Sequence, residues 1–108
     1  MQFNSLIHCK KKGAVFTKEH DYTTIFSVIE YPKSLEFTNL TIIFPQKSTY
    51  ENAIKLAKEL IEEGTPIPAI DILNACIAIE KNLIIITNDK HFDYVKLKHN
   101  ELNIQGLI

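Results

Sequence analysis

The sequence predicts an α/β domain with a mostly parallel sheet, and three observations carry that expectation. Leu83-Ile84-Ile85-Ile86-Thr87 is an uninterrupted apolar run without in/out alternation, the pattern of a central parallel strand covered on both faces. Segments with helical spacing alternate along the chain with β-branched runs, which gives a sandwich of helices on a sheet. A chain of 108 residues fits one domain, since domains average roughly 150 residues, so residues 1–108 are read as a single unit.

Taken in order, Ala14-Val15-Phe16-Thr17 follows a Lys-rich turn at Gly13 and reads as a short strand. Tyr22 to Tyr31 carries apolar residues at 22, 25, 26, 28 and 29, a helical spacing that Pro32 ends. Leu40 to Phe44 is rich in β-branched residues and stops at Pro45, as a strand does. Ser48-Thr49-Tyr50-Glu51 reads as a capping box opening a helix. Its apolar stripe is Ala53, Ile54, Ala57, Leu60 and Ile61, and Gly64 closes it. Pro66 and Pro68 introduce a helix over about 69–81, apolar on most of its circumference. After the 83–87 strand, a helix over about 90–98 and a short strand at Leu102-Asn103-Ile104 complete the chain.

Composition excludes several classes of function. Twelve basic residues stand against 13 acidic ones, a net charge of −1, so no bulk field draws in a polyanion. All 12 basic residues are Lys. Bidentate Arg forks on phosphate are absent, and any phosphate contact relies on Lys, hydroxyls or backbone N–H groups. Cys9 and Cys76 have no metal-binding or redox spacing and read as reduced thiols. The N-terminus has no apolar leader core, and no apolar run approaches the roughly 20 residues of a membrane span. A cytoplasmic protein with no membrane contact is expected.

In parallel sheets, ligands bind beyond the carboxyl ends of the strands, so the acids near those ends matter most. Asp89 directly follows the apolar strand and is either an N-cap of the next helix or a ligand. Asp71 lies in the first turn of an apolar helix. It either complements the helix dipole or faces a pocket, because a carboxylate among Ile70, Ile72 and Leu73 is costly to bury unpaired. Asn74, one turn on, shares its face and could orient it. Glu30 closes the apolar stretch Ile25–Ile29, at the border between core and solvent. His8, His20, His91 and His99 show no zinc spacing, Ser27 has no nucleophile-elbow context, and no Gly-rich phosphate loop exists.

Two blocks, Gly64-Thr-Pro-Ile-Pro-Ala-Ile-Asp71-Ile-Leu-Asn-Ala-Cys-Ile-Ala78 and Leu83-Ile-Ile-Ile-Thr-Asn-Asp89-Lys-His-Phe92, resemble the C-terminal half of the PIN-domain nucleases, VapC-type toxins included. Thr17 to Glu30 looks like that family's second block. The resemblance implies a three-layer α/β/α sandwich and a Mg²⁺- or Mn²⁺-dependent ribonuclease, the toxin of a toxin–antitoxin pair. It maps Glu30, Asp71 and Asp89 onto acidic metal-holding and catalytic positions, with His91 where members carry Asp or His. Thr87 and Asn88 match residues that shape the turn holding Asp89. Hard divalent cations prefer oxygen ligands and activate a bound water, so the chemistry agrees.

The chain departs from the family at its start. PIN domains open with a central strand ending in an acidic residue, and no Asp precedes Asp21 here. This implies a domain lacking the first strand, and with it one ligand. The competing expectation is a degenerate, non-catalytic protein that works by binding a partner. An open central gap would leave strand edges unpaired, so a homodimer or larger assembly is expected, with residues before Lys10 or Leu102–Ile108 covering the gap.

Overall fold

The computed structural model describes residues 8–11, 21–36 and 40–106. Five strands form one sheet: β1 (His8–Lys11), β2 (Asp21–Thr24), β3 (Leu40–Ile43), β4 (Leu83–Ile86) and β5 (Asn103–Gln105). Four helices pack with it: α1 (Ile25–Glu30), α2 (Lys47–Glu62), α3 (Ala69–Lys81) and α4 (His91–Lys98). The strand order is β3-β2-β1-β4-β5. β2 runs parallel to β3 and β4 parallel to β5, while β1 is antiparallel to both β2 and β4. Four strands therefore share one direction, and the mostly parallel α/β architecture expected from the sequence is present.

The centre of the sheet is where the chain does something its sequence pattern hides. The central position is held by β1, an N-terminal segment running against its neighbours, with His8 opposite Ile86 and Lys11 opposite Leu83. This pairing supplies partners for the inner edges of β2 and β4 within one chain, so an exchanged strand is not needed to close the sheet. The strand expected at Ala14–Thr17 lies outside the described residues.

β4 is buried on both faces as its composition requires: Leu83, Ile85 and Ile86 are buried, and Thr87 N–H extends the pairing by donating to the Gln105 carbonyl at 2.8 Å. Against it packs a core of Leu56 and Leu60 from α2, Ile72, Ala75, Cys76 and Ala78 from α3, and Phe92 and Val95 from α4, closed by Leu102.

Three local expectations shift. The stretch 22–31 is not all helix. Asp21–Thr24 pairs with β3, and the helix starts at Ile25, where Thr24 Oγ1 accepts the Ser27 N–H at 3.2 Å. α2 begins at Lys47, one residue before the expected cap. Its first turn is closed by Thr49 Oγ1 accepting the Gln46 N–H at 3.0 Å. Ser48 instead donates to Glu80 Oε2 on α3 at 2.8 Å, tying the two helices together. The buried stripe of α2 is Thr49, Ala53, Leu56 and Leu60. Ile54 and Ile61 stay exposed, because the face that α2 turns to the core runs through Thr49, Ala53, Leu56 and Leu60.

Gly64 ends α2 at a φ of 77°, a left-handed conformation open to glycine at little cost. Thr65 N–H reaches the Leu60 carbonyl and Gly64 N–H the Ile61 carbonyl, so the last carbonyls of the helix are satisfied.

Candidate functional site

Three chain segments converge beyond the carboxyl end of β4: the Thr87–Lys90 turn, the first turn of α3 and the first residue of α4. The turn is built by nested side-chain-to-backbone bonds. Thr87, buried, accepts the Asp89 N–H on its hydroxyl at 3.0 Å, and Asp89 Oδ1 in turn accepts the His91 N–H at 2.9 Å. Such local bonds hold a polar turn without secondary structure. Asn88 packs over Gly106, whose missing side chain leaves room: a Cβ there would come within 3.1 Å of Asn88 Oδ1. Phe92, fully buried, pins the next residue of α4 into the core.

This geometry brings Asp71, Asp89 and His91 together, with one ligating atom of each within 4.8 Å of the others. His91 Nδ1 lies 2.7 Å from Asp71 Oδ2 and 3.3 Å from Asp89 Oδ1. Nδ1 therefore faces both carboxylates at once. Asp89 accepts the His91 N–H and stands in the cluster as well, while the N-cap position of α4 falls to Lys90 rather than to Asp89 as one reading expected.

The Asp71 carboxyl is pushed above the usual carboxylate range, chiefly by burial and further by the charge of Asp89, while the hydrogen bond from His91 partly opposes the rise. Glu30 stands at the end of α1, exposed, outside this cluster of three. Its carboxyl is also raised, first by burial and then by the charge of Asp71, so the two acids feel one another across the gap between α1 and α3.

Asn74 corrects an expectation. It is fully buried, but its amide turns to α1 rather than to Asp71: Oδ1 accepts from the Thr24 hydroxyl, and Nδ2 donates to Ser27 Oγ at 3.4 Å. Thr24 and Ser27, both buried, are residues that sequence reasoning passed over. The one sequence cue was Thr24 three residues before Ser27, the spacing of a cap and its third helical position. The network joins the end of β2 to α3 one turn from Asp71 and so fixes where α3 starts relative to the sheet. Cys76 is inert by comparison, buried with its thiol pushed up to about 11 by burial and by Glu80.

The sheet order and the helices packed on it define the class of fold, an α/β domain with four of its five described strands in one direction. Among solved structures, VapBC2 from Rickettsia felis bound to a DNA fragment from their promoter matches with a TM-score of 0.61 and 22% sequence identity, covering 79% of this chain and 73% of that chain. At that identity the likeness carries the fold alone. No family model matches the chain, and no curated protein matches it in sequence.

Proposed function

We propose that this chain is a PIN-like, metal-dependent ribonuclease that hydrolyses RNA phosphodiester bonds as the toxin of a toxin–antitoxin pair in the cytoplasm. The observation that carries the reading is the convergence of Asp71, Asp89 and His91 within 4.8 Å at the carboxyl end of β4. Two carboxylates and an imidazole suit a divalent cation, and Asp71, Asp89 and His91 are the residues that would hold Mg²⁺ or Mn²⁺, with Glu30 outside that set of three. The chemistry such an ion would supply, held by these residues, is a more acidic bound water and a polarised phosphoryl oxygen. Glu30, whose carboxyl is raised by burial and by the charge of Asp71, is the acid we assign to take a proton from an attacking water. Lys90, exposed between Asp89 and His91, supplies the point charge for a phosphate that Arg would provide elsewhere.

A second reading, a degenerate PIN-like protein acting only through a partner, draws on one observation. The strand at the centre of the sheet, His8–Lys11, brings no acidic residue. End-labelled structured RNA incubated with Mn²⁺, with EDTA, and with Asp89→Asn protein separates the two. Cleavage that needs both Mn²⁺ and Asp89 supports the enzyme. Intact RNA in all three supports the partner-binding protein.

The partner side of the proposal draws on the resemblance of two sequence blocks to VapC-type toxins, on the structural neighbour being VapBC2, and on an apolar hollow of about 250 Å³ lined by Tyr50, Ala53, Ile54, Ala57, Ile72 and Leu73 between α2 and α3. Apolar surface of that kind suits a helix of an antitoxin. The homo-oligomer expected from an open sheet loses that ground, since β1 pairs with both β2 and β4. A second copy of the chain remains the alternative occupant of this hollow, and light scattering of the purified chain tests it.

A further inference from the structure

Mg²⁺ takes oxygen ligands almost exclusively, whereas imidazole nitrogen suits the first-row transition ions, and Mn²⁺ accepts both. The cluster beyond β4 is a mixed donor set, two carboxylates and one ring nitrogen, and the nitrogen is not a bystander. Nδ1 is the atom turned inward, 2.7 Å from Asp71 and 3.3 Å from Asp89, so it lies among the very oxygens a cation would contact. The backbone that carries the ring is also held: the His91 main-chain N–H donates to Asp89 Oδ1 at 2.9 Å, and the next residue, Phe92, is fully buried. A donor fixed by the backbone loses little freedom when it binds, which favours a ligand role over a surface ion pair.

We infer that His91 is a specificity-determining residue that makes this site favour Mn²⁺, and the later first-row dications, over Mg²⁺. The inference rests on the metal-holding part of the proposed function but not on RNA being the substrate. The inward ring nitrogen adds affinity for Mn²⁺ and little for Mg²⁺, while the two carboxylates serve either.

The test is calorimetric titration of MnCl₂ and MgCl₂ into EDTA-stripped protein, for the wild type, His91→Asp and His91→Asn, with circular dichroism to verify folding and pulsed EPR of the Mn²⁺-loaded forms. The Mn²⁺ to Mg²⁺ affinity ratio should fall about tenfold or more in both variants, by the scale on which even indirect ligand contacts act. A ¹⁴N coupling to Mn²⁺ should be present in the wild type and lost in both. An unchanged ratio, or no ¹⁴N coupling in the wild type, overturns the inference while leaving a metal site in place. If neither ion binds the wild type, the inference and the metal-dependent reading fall together. A shifted ratio with intact RNA supports the inference and sinks only the ribonuclease.

Discussion

At Asp71, stability and the proposed function pull in opposite directions. Its carboxyl is raised by burial and by Asp89, so the folded chain binds that proton more tightly than the unfolded chain does. The consequence for pH follows directly. Stability gained from protonating Asp71 is fully present below the ordinary carboxylate range and is lost as pH rises through the raised folded value. Glu30 acts in the same direction. Asp71→Asn should therefore raise the melting temperature at neutral pH and flatten the acid side of the stability profile, while weakening Mn²⁺ binding. Thermal denaturation between pH 4 and pH 8 reads the first effect and calorimetry the second. A variant less stable than wild type at pH 7 would show that the His91 contact outweighs the buried charge. Asp89, more exposed, carries less of this conflict. Asp89→Asn should cut Mn²⁺ affinity by about tenfold or more, and equal affinities would leave it only as the acceptor of the His91 N–H.

Among the elements, the two most exacting positions are a helix end and a helix contact. Gly64 holds a φ of 77° with nothing within 4 Å of where a Cβ would sit. Gly64→Ala thus meets no clash and isolates the cost of the left-handed backbone, about 1–2 kcal/mol, readable as a lower urea midpoint at unchanged slope. Asn74 is the opposite case, all contact and no strain. Asn74→Ala leaves the buried hydroxyls of Thr24 and Ser27 without their amide, at about 1–3 kcal/mol. If the same unfolding experiment showed no loss, the α1–α3 network would be incidental. The periodic α2 and α3 were both legible, yet the cap of α2 was misplaced because Ser48 finds its partner on another helix. Sequence spacing cannot register a bond 32 residues away.

At the scale of the molecule, the decisive feature is the reversed β1 at the centre of the sheet. Its sequence, His-Cys-Lys-Lys, has none of the apolar character of a central strand, so nothing in its pattern announces the position. Hydrogen bonds to β2 and β4 place it there, because the inner edges of both strands need partners and the N-terminal segment is within reach. Lys10→Pro tests the placement. Proline removes a ladder N–H in mid-sheet. An unpaired group costs about 1–3 kcal/mol, which lowers the melting temperature by several degrees in a domain this small. A melting temperature equal to wild type would put the segment outside the sheet.

Local chemistry written in contiguous residues was readable from the chain alone. The unbroken Leu83–Ile86 run read as a doubly buried strand, α3 spans Ala69–Lys81 as expected after Pro68, and Asp89 just past the strand pointed to the edge where Asp71, Asp89 and His91 meet. Each depends on neighbours a few positions away. What tertiary structure decided involves partners far apart in sequence. It turned Asn74 from Asp71 to Thr24 and rotated the buried face of α2 to Leu56. It brought His91 into contact with two acids while leaving Glu30 at a distance, and it ran β1 backwards through the middle of the sheet. Those outcomes are set by which surfaces remain uncovered once the elements pack, and periodicity along one segment carries no record of that.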